Sequence, residues 1–471
     1  MIAPARKRAC GNRFGFGGRD SGGARAGDAG GAGARWVRTW CVATLCWGGF
    51  GGAPVLAGEF DYGVGYALNY DSNISSVPKD EIAEWTQTLI GGFAYQERSA
   101  DLNARILAEV RWHDYYRNTY SDNKTLIMNG TAIWTISPQQ LVWTTEDVGQ
   151  QVRLDVTAPD TPTNRANANS LSTGPDLTFR MNSTNTAAFG ARYGRLDIEG
   201  FGDNVRYSGY ARWLHRVSAL TTVSLNYEPL RVYYQEPPLY SKTSREDWFI
   251  RYDSRFSYDI LTIDLGASRL TQDGVETPSS QLARLSATHH FTSRSVLNAS
   301  FAREFSETSA DLLRGAAGVA GPTDAERPPA ADVVTSDGHR LKSGELTYRN
   351  QDGIFGYNVR GYARRIDYLQ LPRDYDEQGG GFGLSWLSPG QSRIRAYTTY
   401  LRRSFLDVDR RDTERATGAG VTSRLTPNMN LTIDGARIER ASTSSLDNFV
   451  DWRVMLLLGY STGPLYAVGG Q

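Results

Sequence analysis

The sequence has no apolar run long enough for a membrane-spanning helix. Its short apolar run, Trp40 to Phe50, falls below the about 20 residues that such a helix requires. The net charge is zero and the mean hydropathy is −0.44, which disfavours a nucleic-acid binder. The chain nevertheless contains 25 Tyr, 17 Phe, 11 Trp and 49 Gly, a composition typical of strands and turns.

Residues for metal binding and catalysis are also scarce. The three cysteines, Cys10, Cys41 and Cys46, precede the predicted cleavage point, so the mature chain is expected to lack disulfides and cysteine metal sites. The five histidines are scattered without zinc-ligand spacing, and no hydrolase, metalloprotease or phosphate-loop motif is present. His113 and Asp114 are adjacent, but neighbours in a strand point to opposite faces. We therefore predict no enzyme activity, no catalytic residues, no metal and no cofactor.

Lysine is nearly absent: of 51 basic residues only five are Lys, which leaves 51 − 5 = 46 Arg. One explanation is a GC-rich genome. The other is functional, because guanidinium groups hold carboxylates and acidic sugars with two parallel hydrogen bonds.

The N-terminus reads as a targeting segment. Residues 1–38 are rich in Gly, Ala and Arg, and the apolar run is followed by Val55-Leu56-Ala57, small residues suited to cleavage. We predict that 1–57 is a signal peptide. Its start codon is expected to be placed too early, with the natural start near Val37. The mature protein is then 58–471.

The mature chain repeats one pattern, alternating apolar and polar residues with turn signals between segments. In the clearest segment Leu102, Ile106 and Trp112 alternate with Asn103, Arg105 and Arg111. Short turns, for example 138–140 and 350–353, alternate with longer polar connections at 150–170, 228–245, 306–339 and 367–378. This organisation is typical of outer-membrane barrels, with short periplasmic turns and long extracellular loops. We predict an all-β, transmembrane, antiparallel up-and-down β-barrel of about 18–20 strands in the outer membrane of a Gram-negative bacterium.

The two predicted faces differ in charge. The outward positions are almost free of it, as lipid requires, whereas the inward positions carry arginine and tyrosine. The predicted lumen-lining residues are Arg105, Arg111, Arg212, Arg251, Arg255, Arg360, Arg364, Arg393, Arg395, Tyr210, Tyr362 and Tyr397. These arginines either bind acidic sugars or pair with acidic residues across strands and stiffen the wall. Residues 306–339, rich in Gly, Ala and Pro, are expected to form the longest extracellular loop or an inward-folded constriction.

Three stretches resemble the outer-membrane barrel proteins encoded with exopolysaccharide biosynthesis and exosortase (PEP-CTERM) loci. They are Asn69-Tyr70-Asp71-Ser72-Asn73-Ile74, Glu146-Asp147-Val148-Gly149-Gln150, and Ser172-Thr173-Gly174-Pro175-Asp176-Leu177-Thr178-Phe179. The resemblance implies a role in the export or assembly of surface polysaccharide and carries no catalytic residues.

Three functions remain open at this stage. The first is a conduit or accessory for exopolysaccharide export, with polysaccharide and periplasmic export proteins as partners. The second is a general small-solute porin, and the third is a structural or adhesive surface barrel. In each case we expect outer-membrane lipids and the barrel assembly machinery as partners, and no nucleic acid.

Overall fold

A computed structural model describes residues 58–235, 241–276, 279–307, 335–390 and 392–463. The predicted signal peptide, most of the 306–339 connection and the end of the C-terminal tail, including Tyr466, lie outside these ranges. Within them, no helix is long and apolar enough to cross a membrane.

The described chain is built from strands. They are β1 (Glu59–Asp71), β2 (Glu84–Arg98), β3 (Leu102–Tyr115), β4 (Asn123–Ser137), β5 (Leu141–Arg153), β6 (Arg165–Arg180), β7 (Asn185–Ile198), β8 (Phe201–Arg216), β9 (Thr221–Tyr234), β10 (Lys242–Arg255), β11 (Asp259–Gln272), the two-residue β12 (Val275–Glu276), β13 (Ser280–Thr292), β14 (Ser295–Ser306), β15 (His339–Asp352), β16 (Phe355–Tyr368), β17 (Tyr375–Leu387), β18 (Arg393–Phe405), β19 (Arg410–Thr426), β20 (Met429–Ser442) and β21 (Phe449–Ser461). Single 3-10 turns occur at Pro162–Asn164 and Ser445–Asp447.

The sheet closes on itself. Each long strand pairs antiparallel with its neighbours in sequence, and β21 returns to pair with β1 from Gly63↔Ser461 to Asp71↔Arg453. The short β12 only extends the edge of β11. The predicted all-β barrel is confirmed, with 20 strands in the wall and a closing strand that ends at Ser461.

The first of the three quoted stretches lies at the closing seam. Arg453 Nε is 2.9 Å from Asp71 Oδ1. Ser72 Oγ donates to Asp451 at 3.1 Å, and the Asn73 backbone N–H donates to the same carboxylate at 2.9 Å. These bonds hold the first and last strands together near the long-loop end, so the seam is joined by side chains as well as by the backbone ladder.

The outer surface is apolar over most of the strand length. Large side chains recur there at every second position, as in Trp134 (51% exposed), Leu265 (61%) and Leu456 (44%). A closed barrel satisfies all of its ladder hydrogen bonds internally and can therefore place such a surface in lipid. The protein is an outer-membrane β-barrel.

The two ends of the barrel differ, although less strictly than predicted. At one end nine connections have two to five residues, including the hairpin 217–220, and we assign this end to the periplasm. At the other end most connections are longer, but β7 and β8 are joined by Glu199 and Gly200 alone, with φ +74° at Gly200. The predicted loops 150–170, 228–245 and 367–378 are shorter than expected, because strands there continue beyond the apolar band with charged outward residues.

Candidate functional site

All twelve predicted lumen residues lie on the inner face. Successive residues of a strand point to opposite faces, so odd and even positions separate the two faces; we call this the parity of a residue. The parity of the twelve residues is opposite to that of the exposed apolar residues on the same strands, for example Arg395 against Ile394 and Tyr362 against Val359. The alternating pattern was sufficient to find this face. The pattern did not reveal what the arginines contact.

Six of the nine predicted arginines are bound to acidic side chains of the wall. The pairs are Arg111–Glu109 (2.7 Å), Arg212–Glu228 (2.8 Å), Arg251–Asp264 (2.7 Å), Arg360–Glu345 (2.9 Å), Arg364–Glu377 (2.8 Å) and Arg395–Asp434 (2.8 Å). The tyrosines join the same networks. Tyr210 donates to Asp176 at 2.7 Å, Tyr397 donates to Asp434 at 3.1 Å, and the Arg360 guanidinium lies 5.0 Å from the centre of the Tyr362 ring. These groups stiffen the wall and contribute little net charge.

The other three, Arg105, Arg255 and Arg393, form no ion pair among the described residues. They lie near the periplasmic end of the lumen, close to the start of β3, at the end of β10 and at the start of β18. Four arginines that the sequence analysis did not single out share this level and inner parity: Arg98, Arg180, Arg216 and Arg349. We call these seven residues the basic rim. They were missed because strand-end residues look like turn residues in a sequence.

A loop crosses the lumen near the opposite end. Residues 154–164, between β5 and β6, place Val156 (0% exposed) in an apolar cluster with Leu341, Ile366, Tyr375 and Phe405 of the wall. These residues belong to β15–β18, far from β5 around the barrel. Two arginines also bind the loop backbone, since Arg403 donates to Val156 O at 3.4 Å and Arg410 donates to Thr157 O at 2.7 Å.

Hydrogen bonds within the loop keep it compact. Asn164 Nδ2 donates to Asp155 O at 2.8 Å and Pro159 O at 2.9 Å, while the Asp155 N–H donates to Asn164 Oδ1 at 2.8 Å. Asp160 accepts from Arg165 Nε at 2.7 Å and lies 3.2 Å from Arg153 Nη2. Burial raises the pKa of Asp160, but the two arginines outweigh burial and hold that pKa well below its usual range.

Most of the connection 306–339, for which we predicted the longest extracellular loop or an inward-folded constriction, lies outside the described residues. In the part of the chain that the structure describes, the loop that spans the lumen is 154–164. The two described ends of 306–339 also turn inward. Glu307 lies 2.7 Å from lumen-facing Arg206, and Asp337 accepts the Gln370 and Leu371 N–H groups at 2.9 Å each.

The wall is split beside this loop. The β4–β5 ladder ends at Met128↔Gly149, so residues 123–127 of β4 have no β5 partner. Asn167 of β6 bridges the split: its Nδ2 donates to Lys124 O at 2.7 Å, and its Oδ1 accepts the Leu126 N–H at 3.1 Å. One amide side chain thus satisfies a backbone donor and a backbone acceptor that would otherwise lack partners in the wall.

No group of three His, Cys, Asp or Glu side chains among the described residues has an arrangement that fits a metal ion. His113 hydrogen-bonds Thr88 at 3.0 Å and Thr125 at 3.1 Å on the inner face. Asp114 is bound by Gln87 instead. The two adjacent residues therefore do not act together.

No protein-family model matches the sequence, and no curated protein matches it. The fold is similar to solved receptor barrels. A mutant of the ferric enterobactin receptor PfeA of Pseudomonas aeruginosa aligns at TM-score 0.47 and 10% identity, over 86% of this chain and 80% of the receptor. The FrpB iron transporter of Neisseria meningitidis (F5-1 variant, apoprotein) aligns at TM-score 0.43 and 10% identity, over 85% and 81%. The ferric citrate transporter FecA aligns at TM-score 0.43 and 10% identity, over 85% and 78%. Similarity at this level sets no expectation for the cargo of this chain.

Proposed function

We propose that the barrel is a conduit for an anionic polysaccharide across the outer membrane, as part of exopolysaccharide export or assembly. The observation that carries the proposal is the basic rim. Its arginines face the lumen at the periplasmic end, where an exported polymer enters, and they have no ion pairs among the described residues. The resemblance of three sequence stretches to exopolysaccharide-locus barrels supports the same assignment.

The distribution of charge explains how such a conduit would work. Unpaired arginines at a pore entrance focus the field there and raise the local concentration of anions. Further along, the arginines are neutralised by Glu and Asp, so a polyanion is attracted at the entrance without being held tightly inside. Conduction requires this combination of favourable entry and weak binding along the path.

One observation favours the alternative of a small-solute porin. The loop 154–164 spans the lumen and is fixed to both sides of it, which narrows the pore near the outer end. A fixed loop suits a filter for small anions, whereas a polymer needs the loop to move. The two functions therefore differ in whether an acidic oligosaccharide passes or only chloride does.

The test is single-channel conductance of the mature barrel in planar bilayers, with oligouronates added on the periplasmic side. The variant Arg105→Gln/Arg255→Gln/Arg393→Gln should lower both anion selectivity and oligouronate block. Unchanged selectivity and block in this variant would contradict the role of the basic rim.

The matched control removes three arginines from the outer surface, in the variant Arg231→Gln/Arg415→Gln/Arg437→Gln. It loses the same charge and should keep wild-type selectivity. If the barrel conducts chloride but oligouronates neither block the current nor pass through the pore, the porin function is favoured. A barrel without conductance would refute both functions.

A further inference from the structure

The outer surface of the barrel carries a row of basic side chains near the long-loop end. Arg303 of β14, Lys342 of β15 and Arg365 of β16 are paired in register, Arg303↔Lys342 and Lys342↔Arg365. They share parity with Phe301 and Leu346, which are exposed on the outside. The row therefore faces away from the lumen, although the sequence analysis expected outward positions to be almost free of charge.

A cavity is formed around this row. It lies between two groups of residues. One group is Arg303, Glu304, Arg340, Leu341 and Lys342, and the other is Ser279, Ser280 and Gln281. The Arg340 guanidinium stacks at 5.5 Å from the centre of the Phe305 ring, and its Nε is buried without a hydrogen-bond partner. An inaccessible guanidinium N–H without a partner is costly, because it has lost water and gained nothing in return.

The acidic residues nearby do not neutralise the row. Asp367 is engaged by Arg365 at 2.6 Å, and its other oxygen is 4.0 Å from Lys342 Nζ. Arg303 makes no ion pair with any residue that the structure describes. Three cationic groups, those of Arg303, Arg340 and Lys342, therefore line one cavity. The carboxylate of Glu304 also lines it but is bound by Arg284 Nε at 2.7 Å, and the Asp367 carboxylate is shared with Arg365.

The surface directly beneath the row is apolar. The small residue Ala283 lies beside Arg303 in the same row, and one step toward the periplasm come the small residues Gly344 and Ala363. The exposed side chains Leu346 and Phe382 follow. Small residues between large ones leave shallow grooves on the outside of the wall, where a hydrocarbon chain fits.

We propose that this face binds a phosphorylated, multiply acylated lipid of the outer leaflet. Its phosphate groups occupy the cavity between Arg303, Arg340 and Lys342, and its acyl chains lie along the apolar grooves beneath. Basic residues at the headgroup level attract anionic lipids, and guanidinium groups bind phosphate through charge-assisted hydrogen bonds. A lipid fits better than a soluble anion, because only a lipid uses the charged row and the apolar surface below it together.

The experiment is native mass spectrometry of the mature barrel in detergent with added lipid A, which carries phosphates and several acyl chains. The wild type should retain the lipid. Arg303→Gln/Lys342→Gln should reduce retention about tenfold or more, as expected when hydrogen bonds to charged groups are lost. The control Arg415→Gln/Arg437→Gln removes two outward arginines elsewhere and should bind like the wild type. Equal retention by all three proteins overturns the site.

Two further arms separate the headgroup from the chains. Dephosphorylated lipid A should bind weakly to the wild type, to the same extent as intact lipid A binds to the double variant. If the wild type binds lipid A equally well with and without its phosphates, the role of the cations is overturned. Inorganic phosphate should displace lipid A only at high concentration; displacement at equimolar phosphate would overturn the lipid as occupant. Arg303→Lys/Lys342→Arg should restore retention, and heat-shifted gel mobility checks that each variant is folded.

Discussion

The docking of loop 154–164 can be tested at one residue. Val156 is fully buried against Leu341, Ile366, Tyr375 and Phe405, and no other side chain of the loop belongs to that cluster. The substitution Val156→Ala keeps the backbone carbonyl that Arg403 binds and removes only apolar contact. The docked loop should therefore lose stability while the wall keeps its own.

The loss of docking stability can be estimated from the number of buried carbon groups that the substitution removes. Val→Ala removes two carbon groups, and each buried methylene contributes about 0.8 kcal/mol, which gives about 1.6 kcal/mol before any cavity term. A change of about 1.4 kcal/mol is a factor of ten in an equilibrium constant. The undocked population should therefore rise about 10- to 20-fold.

Hydrogen exchange of the barrel in detergent micelles measures this population directly. Amides of 154–164 should lose about 10- to 20-fold in protection, while amides of β13 and β14 should not change. Val148→Ala is the matched control, because Val148 faces the lumen on β5 outside the cluster. If the loop amides of Val156→Ala exchange at the wild-type rate, the apolar cluster does not hold the loop in the lumen.

Two further predictions concern the same region. The pKa of Asp160 is lowered, so its ion pairs stabilise the docked loop fully at pH values above the ordinary carboxyl pKa of about 3.9. This contribution declines as the pH falls from there toward the lower pKa of the folded state. A dye on Ala158→Cys, in a chain of residues 58–471 that contains no other cysteine, should report a docked loop from pH 8 to 5 and progressive undocking as the pH falls below about 4. The same transition in Asp160→Asn would contradict this assignment. Asn167→Ala should lower the free energy of unfolding in lipid vesicles by roughly 1 to 3 kcal/mol, because two backbone groups of β4 lose their partner. Asn298→Ala, which removes an exposed lumen amide, should have little effect, and equal stability of the two variants would show that the split does not depend on Asn167.

Much of the fold could be predicted because a barrel wall imposes a period of two on its sequence. Lipid accepts only uncharged side chains at midplane, so residues such as Leu265 and Leu456 identify the outer face, and Arg251 and Arg453 then belong to the lumen. The short turns could be located for the same reason, because the apolar alternation stops at each of them. The long-loop boundaries were wrong, because strands above the apolar band alternate between two polar faces and leave no pattern.

The candidate site was only partly predictable. Arg105 and Arg360 look alike in the sequence, yet one is unpaired at the periplasmic rim and the other is bound to Glu345. This difference depends on the register of neighbouring strands. Likewise, nothing local in 154–164 indicates that it crosses the lumen.

The sequence by itself determined that the chain forms a closed β-barrel, which face of each strand meets lipid, and where most short turns occur. These properties are local, since each residue is selected by the medium that it faces. The tertiary structure alone decided which lumen arginines are neutralised, that loop 154–164 crosses the lumen and which cations meet on the outer surface. These properties join residues far apart in the chain, such as Val156 with Phe405 and Asp71 with Arg453, and they arise only when the register is fixed and the barrel is closed.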